Sequence, residues 1–168
     1  MTLKAVQAEA SDFDFMRKEL ILGARKKHFD FPVKDPAGLR SLEDNIHSAL
    51  EHHRFCSGLL AVPILFMHRH SRVGMVIMTE VSPGQGGNEI HIVFVTDKHR
   101  GKGYGSQMVD SIMASRQGVD VYARCAPASQ LMYEMLQRRG FVYLHTQRDG
   151  QRILLRPKQQ AISASQLG

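Results

Sequence analysis

The sequence predicts a single domain of mixed α/β class with an antiparallel front half, and two observations carry this prediction. Strand patterns and helical patterns follow one another in the order strand, two helices, three strands, helix, strand, helix, two strands. The 168 residues are 43% hydrophobic, which supplies a core and argues against a disordered chain. We therefore treat residues 1–168 as one domain and expect residues 158–168 to form a flexible tail.

The front half is predicted from periodicity and from the residues that begin helices. Its strand, two helices and two strands cover residues 3–7, 12–27, 41–53, 59–67 and 73–81. The first helix is amphipathic, because its apolar residues recur at helical spacing. Ser41 and Asp44 resemble a capping box, so we place the start of the second helix there.

The back half is predicted in the same way. Its strand, helix, strand, helix and two closing strands cover residues 88–95, 104–116, 119–124, 129–139, 142–147 and 151–155. A glycine-rich connector, residues 82–87, precedes it. The last two strands flank Arg148-Asp149-Gly150, and the Asp-Gly pair is typical of a tight hairpin turn.

Composition narrows the classes of function. The net charge of +6 suits an anionic ligand, but the basic residues are dispersed and not interleaved with aromatic residues as in a single-strand binding surface. The longest apolar runs are too short to span a bilayer and the N-terminus has no signal pattern, so we expect a cytoplasmic protein. Cys56 and Cys125 form no disulfide framework, and we expect both to be buried. The nine histidines lack metal-ligand spacing, so no metal is expected.

The most informative motif is the glycine-rich loop at residues 100–106, which lies between a predicted strand and a predicted helix. The first turn of a helix has unpaired backbone N–H groups and the positive end of the helix dipole, and both favour an anion. Glycine lets the backbone approach a phosphate closely. The Walker spacing is absent, and the dinucleotide pattern fails because residue 106 is Ser. The loop therefore predicts another kind of phosphate compound.

The loop reads Arg-x-x-Gly-x-Gly over residues 100–105, which resembles the acyl-CoA signature of the GNAT N-acyltransferase superfamily. Residues 88–95 look like the fourth strand of that family, and residues 129–141 look like its later helix, which ends in Gly-Phe. The resemblance covers roughly residues 73–141. It implies the GNAT fold, acetyl-CoA as cosubstrate and N-acetyltransferase activity.

In GNAT proteins the fourth and fifth strands splay apart, and the pantetheine arm of the coenzyme lies between them. The resemblance implies that the backbone of Val93 and Val95 holds this arm, and that Ser129 either bonds it or caps its own helix. It also implies that the loop holds the pyrophosphate, although the ring of Tyr104 is interpreted as structural. The implied loop residues are Arg100, Gly101, Lys102, Gly103, Tyr104, Gly105 and Ser106.

Glu89 is either the candidate general base or a solvated residue at the start of its strand, after the glycine-rich connector. It stands eleven residues before Arg100, the offset at which the histone-acetyltransferase branch of the family carries its base. Apolar neighbours predict partial desolvation, which raises the pKa of a carboxyl group. His91 points to the same face of the strand, either as a proton relay or as a plain polar residue, and Glu80 is a fallback base or amine-binding carboxylate.

The acid for the leaving thiolate is where the resemblance weakens. Many family members carry Tyr four residues before the Gly of Gly-Phe, and here that position is Leu136. Tyr133 lies one turn earlier, so it either reaches the sulfur as the acid or packs in the core. The oxyanion donor is expected to be a backbone N–H near Val93, where the strand would bulge.

The resemblance implies transfer of an acetyl group from acetyl-CoA to a primary amine by direct attack in a ternary complex. We expect the acceptor groove between the two N-terminal helices and the turn at residues 148–150. The acceptor is a small molecule or a protein lysine or N-terminus, and nucleic acid is expected only as aminoacyl-tRNA. The alternative is a non-catalytic coenzyme-A-binding module that binds a protein or nucleic acid through its basic surface. A homodimer is compatible with either function, and no membrane partner is expected.

Overall fold

The computed structural model describes residues 2–159, and the expected tail beyond residue 159 lies outside them. The strands and helices occur in the predicted order, which confirms the mixed α/β fold. The strands are β1 (Lys4–Gln7), β2 (Ala61–His68), β3 (Ser71–Thr79), β4 (Glu89–Val95), β5 (Val121–Cys125), β6 (Val142–Thr146) and β7 (Arg152–Arg156). The α-helices are α1 (Phe13–Arg25), α2 (Pro36–His52), α3 (Tyr104–Ala114) and α4 (Gln130–Gln137).

All seven strands belong to one sheet with the order β1-β2-β3-β4-β5-β7-β6. Neighbouring strands run antiparallel except β4 and β5, which run parallel. In the described chain β5 pairs with β4 only at Glu89 and Ile90. Beyond Ile90 the two strands separate, and this separation creates the central cleft of the molecule.

The two faces of the sheet carry two apolar clusters, because successive strand side chains point to opposite faces. On β3, Met75 and Ile77 belong to the cluster that packs α1 and α2, whereas Val76 and Met78 belong to the cluster that packs α3 and α4. All four side chains are at most 1% exposed. The helices are therefore held in fixed positions on the two faces of the sheet.

Helix α2 begins earlier than predicted. Asp35 is its N-cap and accepts a hydrogen bond from the Gly38 N–H at 2.8 Å, and Pro36 is the first helical residue. An acidic cap followed by Pro is a favourable helix start, so the placement of the start at Ser41 was wrong. Ser41 is instead an exposed residue inside the helix.

Two further expectations are resolved by burial. Cys125 is buried as expected, but Cys56, in the segment after α2, is exposed, so that expectation was wrong. Glu80 is buried, and its carboxylate accepts hydrogen bonds from the Leu60 N–H at 2.9 Å and the Gly84 N–H at 2.7 Å. It therefore ties the glycine-rich connector to the start of β2.

Within residues 2–159 no helix combines the length and the apolar character needed to cross a membrane.

Candidate functional site

A cleft of about 420 Å³ opens where β4 and β5 separate. It is bounded by β4, β5, the C-terminal part of α1 and the starts of α3 and α4. Half of the expected coenzyme residues line it, namely Val93, Val95, Arg100, Gly105 and Ser129. The structure thus brings the glycine loop and the exposed edge of β4 to one continuous space.

The glycine loop has the backbone that its composition predicts. Gly101 and Gly103 have φ of 72° and 76°, in the left-handed region that favours glycine, and Gly103 immediately precedes α3. A Cβ added at either position would meet no atom within 4 Å, so glycine is required for conformation and the space above the loop stays open. The positive end of the α3 dipole faces this space.

The side chains of the loop divide into charged and structural ones. The Arg100 guanidinium donates to the Val95 carbonyl at 3.1 Å, and the Lys102 ammonium donates to the Lys98 carbonyl at 3.1 Å. Tyr104 is buried, and Ser106 Oγ donates to the sulfur of Met135 at 3.4 Å. Those two side chains pack against other elements, so only the backbone of residues 104–106 is available for a ligand.

Ser129 faces the cleft rather than its own helix. It precedes α4 but its side chain makes no capping hydrogen bond, and its Oγ lies 3.0 Å from Nδ1 of His28. Burial, together with the positive charges of Arg100 and Lys26, lowers the pKa of His28 below 6.5, so its imidazole is mostly neutral at pH 7. Sequence analysis missed His28, and no local signal marked it, because its partner lies far along the chain.

Glu89 is buried and lies between two partner side chains, those of His91 and Arg124. Its Oε1 lies 3.3 Å from Nδ1 of His91 and 3.3 Å from Nε of Arg124. Burial alone would raise the pKa of Glu89, but the hydrogen bond from His91 and the charge of Arg124 outweigh it and bring the pKa below 4.5. The expected rise of this pKa was therefore wrong, and Glu89 is ionised at neutral pH.

His91 occupies the bulge of β4. The β3 partners of Ile90 and Ile92 are the consecutive residues Met78 and Ile77, which leaves His91 as the extra residue. The bulge was expected near Val93 and lies two residues earlier. His91 borders three cavities, whereas Glu89 borders none of these three in the described chain. The imidazole of His91, and not the carboxylate of Glu89, thus lies at the walls of these cavities.

The second cavity at His91 is small, about 160 Å³, and polar. Ionisable groups from the segment after α1, from β5 and from the β6–β7 turn line it: His28, Asp30, Arg124 and Asp149. The third, about 520 Å³, lies between α1, α2 and the sheet. These two cavities occur where we expected the acceptor, beside the N-terminal helices and the turn at residues 148–150.

Tyr133 contacts Arg152 and Gln137. Its ring lies under the Arg152 guanidinium, 4.0 Å from ring centroid to Cζ, and its hydroxyl accepts a hydrogen bond from the Gln137 amide at 3.3 Å. It is not among the cleft-lining residues of the described chain, whereas Leu136, at the family position, is. The acid role of Tyr133 stays a prediction that this geometry does not favour.

No metal centre is formed by the part of the chain that the structure describes. Residues 2–159 contain no group of three or more His, Cys, Asp or Glu side chains that could hold an ion. The histidines at the cleft instead have protein partners, as the contacts of His28 with Ser129 and of His91 with Glu89 show.

Solved structures of acetyltransferases share this fold at low sequence identity. An acetyltransferase from Thermus thermophilus superposes with a TM-score of 0.71 at 16% identity, over 94% of this chain and 97% of that chain. RimL, a ribosomal L7/L12 alpha-N-protein acetyltransferase solved in complex with coenzyme A, gives 0.66 at 15% identity, over 94% and 95%. An acetyl transferase from Salmonella typhimurium that modifies the N-terminal serine of L7/L12 gives 0.66 at 14% identity, over 95% and 96%.

No curated protein matches this sequence. The model of the acetyltransferase (GNAT) family, however, matches residues 33–150, which is well over half of the chain. This match includes β4, the glycine loop, α3, β5 and α4, which line the cleft together with α1. The chain therefore belongs to the GNAT family of acetyltransferases.

Proposed function

We propose that this protein transfers an acetyl group from acetyl-CoA to a primary amine by direct attack in a ternary complex. The observation that carries the proposal is the separation of β4 from β5 beside a glycine loop that opens α3. An anion at the loop and an extended chain along β4 both find backbone groups there. The RimL complex shows that a protein of the same fold binds coenzyme A.

In this proposal the coenzyme lies along the main cleft. Its pyrophosphate contacts the backbone of residues 101–106, with Arg100 and Lys102 adding positive charge. Its pantetheine arm follows the backbone of Val93 and Val95, and Ser129 Oγ is within the cleft to bond it. The thioester then comes to the end of the arm near His91, where the three cavities meet.

Proton transfer is assigned to the pair of His91 and Glu89. The ionised carboxylate of Glu89 can only accept, so Nδ1 of His91 carries the hydrogen, and Nε2 is the site that takes a proton from the amine. Glu89 then stabilises the imidazolium. This arrangement makes Glu89 a positioning residue and not the base itself.

The bond changes follow directly. The amine nitrogen attacks the thioester carbonyl, the C–N bond forms as the amine proton passes to His91, and the C–S bond breaks to release coenzyme A thiolate. Solvent supplies the proton to the thiolate if Tyr133 does not.

Tyr133→Phe should then keep kcat within about twofold of the wild type, because the Tyr133 hydroxyl bonds Gln137 rather than facing the cleft.

The acceptor classes that we propose are small amines and protein N-termini or lysines, with aminoacyl-tRNA as a further class. The RimL and Salmonella proteins act on the N-terminus of a ribosomal protein, which supports a protein acceptor only by likeness of fold.

We also propose a cytoplasmic enzyme. A homodimer would use an edge strand, and β6, at one edge of the sheet, exposes Val142, Tyr143 and Leu144.

The rival function is a non-catalytic coenzyme-A-binding module, and the displaced Tyr133 hydroxyl favours it. The test combines two measurements on the wild-type protein. Thermal stabilisation by acetyl-CoA reports coenzyme binding, and loss of thioester absorbance in a pooled amine library reports turnover. We expect both. Stabilisation without thioester loss would support the rival module, and the absence of both would contradict the assignment of the loop.

A further inference from the structure

The cavity between α1 and α2 opens onto the same histidine as the coenzyme cleft. We call it the α1–α2 cavity, and its floor is formed by Leu20, Leu42, Ile46, Ile77 and Ile92. These five side chains are at most 4% exposed. Because His91 and Ile92 also belong to its lining, a group in this cavity lies next to the proposed thioester position. The cavity and the coenzyme cleft therefore share His91 in their linings.

The charge of the α1–α2 cavity differs from that of its neighbour. His91 is its only ionisable lining side chain apart from the Cys56 thiol in the described chain, whereas the small polar cavity is lined by Asp30, Arg124 and Asp149. A second ammonium group would find no carboxylate there, and an unpaired charge in an apolar site is costly. An alkyl or aryl group would gain roughly 25 cal/mol for each Å² that it buries.

Size and access also select this cavity for the acceptor. Its volume of about 520 Å³ falls in the range of small-molecule sites, and that of the polar cavity, about 160 Å³, does not. Its mouth carries Ser41, Asn45, Cys56 and Ser57, three of them exposed. The coenzyme enters from the side of α3 and α4, so this mouth on the α2 side gives the acceptor a separate entrance.

We infer that the acceptor is an amine with an apolar substituent and no second charge, whose substituent lies in the α1–α2 cavity while its nitrogen lies at His91. This inference rests on the proposed acetyl transfer and deepens it by naming the substrate class. Apolar surroundings also lower the pKa of an amine, which raises the fraction of the uncharged nucleophile at neutral pH.

The first experiment compares hexylamine with cadaverine, two amines of the same length that differ by a terminal methyl or ammonium group. The expected kcat/KM for acetylation is at least about tenfold higher for hexylamine, because cadaverine must bring an unpaired charge into the cavity. Equal or higher kcat/KM for cadaverine would overturn the inference.

The second experiment closes the mouth of the cavity at Cys56. Cys56 is exposed, whereas burial raises the pKa of the Cys125 thiol to about 11, so N-ethylmaleimide should modify Cys56 selectively. The labelled protein should acetylate hexylamine several-fold more slowly and keep its stabilisation by acetyl-CoA. Cys56→Ser treated in the same way is the control, and N-ethylmaleimide should not change its rate of hexylamine acetylation. Unchanged hexylamine turnover after complete labelling would overturn the inference.

The third experiment changes the charge at the mouth. Ser41→Asp adds a carboxylate at the mouth of the cavity. It should reduce the ratio of kcat/KM for hexylamine to that for cadaverine, because the distal ammonium of cadaverine then has a partner. Ser48→Asp, on the same helix but outside the cavity lining, should leave the preference unchanged. An equal shift in both variants would show a general charge effect and would count against the inference.

A longer acyl group is the other occupant that the cavity could hold. If labelling of Cys56 slowed turnover of hexanoyl-CoA but not of acetyl-CoA, with the amine preference unchanged, the cavity would belong to the acyl chain and the inference would be overturned. Failure of the proposed function looks different, since no amine of the pool would then consume the thioester even though acetyl-CoA binds.

Discussion

The proposed coenzyme side and the proposed acceptor side of this protein are built in different ways. The coenzyme side is a short run of chain in which β4, the glycine loop and α3 follow one another. The acceptor side brings together α1, α2, the segment around Cys56 and the β6–β7 turn, which lie far apart in the sequence. Backbone groups dominate the first side, and side chains dominate the second. A local motif can therefore mark a coenzyme site, but none marks this acceptor site.

The glycines of the two sides illustrate the same difference. Gly103 is needed for its positive φ, and a Cβ there would touch nothing within 4 Å. Gly38, in the first turn of α2, is needed for a close contact, because a Cβ there would lie 1.8 Å from the Pro32 carbonyl oxygen. The coenzyme side thus uses glycine to leave space for a ligand, and the acceptor side uses it to pack the chain on itself.

The largest effect is expected from Gly103→Glu. The new carboxylate would enter the space for the pyrophosphate and repel it, and the positive φ would add backbone strain. Stabilisation by acetyl-CoA should disappear, which corresponds to affinity weakened by at least about 100-fold. Gly118→Glu, at an open position away from the loop, is the control and should bind normally. Undiminished stabilisation in Gly103→Glu would remove the loop assignment.

The next largest effect concerns His91, the proposed proton acceptor at the junction of the two sides. His91→Gln should lower kcat by roughly 100-fold without loss of coenzyme binding, because a positioned base commonly contributes about 10² to 10⁴. Glu89→Gln should lose only about tenfold, since it disturbs the orientation of His91. A larger loss in Glu89→Gln than in His91→Gln would return the base to Glu89.

A smaller effect is expected on the acceptor side from Gly38→Ala. The added methyl group overlaps the Pro32 carbonyl, so the turn before α2 must shift, at a cost of about 1–3 kcal/mol in the free energy of unfolding. Urea denaturation measures this loss. Coenzyme binding by the folded variant should persist, because the glycine loop lies on the coenzyme side and Gly38 lies on the acceptor side. Loss of coenzyme binding from the folded variant would mean that the two sides are coupled.

The smallest effect is expected from Glu80, which holds the connector beside the acceptor side. The hydrogen bond from the Leu60 N–H is the main cause that lowers its pKa below 4.5; burial opposes it, and Gly84 and Arg54 add to it. A carboxyl group with a pKa lowered by folding stabilises the protein above its unfolded pKa, and this stability is lost as the pH falls through the folded value.

Glu80→Gln should therefore lower the Tm slightly at pH 7, and its Tm should fall less steeply than that of the wild type on acidification below about pH 4.5. Thermal unfolding across this pH range measures both quantities. Glu51→Gln, at an exposed position on α2, is the control. Parallel pH profiles for Glu80→Gln and the wild type would show that the two backbone hydrogen bonds do not carry the effect.

Several features of this protein follow from its sequence alone. The order of strands and helices and the glycine loop depend on residues that are near neighbours in the sequence, so periodicity and spacing predict them. The family resemblance rests on the same local motifs. The start of α2 belongs to this class too, since Asp35-Pro36 is a local signal that outranks the one at Ser41.

Only the tertiary structure decided the chemistry of the cleft. Glu89 looked like a desolvated base, but a hydrogen bond from His91, at the bulge of β4, and the charge of Arg124 on another strand lower its pKa. His28 meets Ser129 only when α1 and α4 pack on either side of the cleft. Electrostatic interactions depend on distance in space, which spacing along the chain does not specify. The sequence therefore determines where acetyl-CoA is expected, and the fold determines which side chain lines both the cleft and the proposed acceptor cavity.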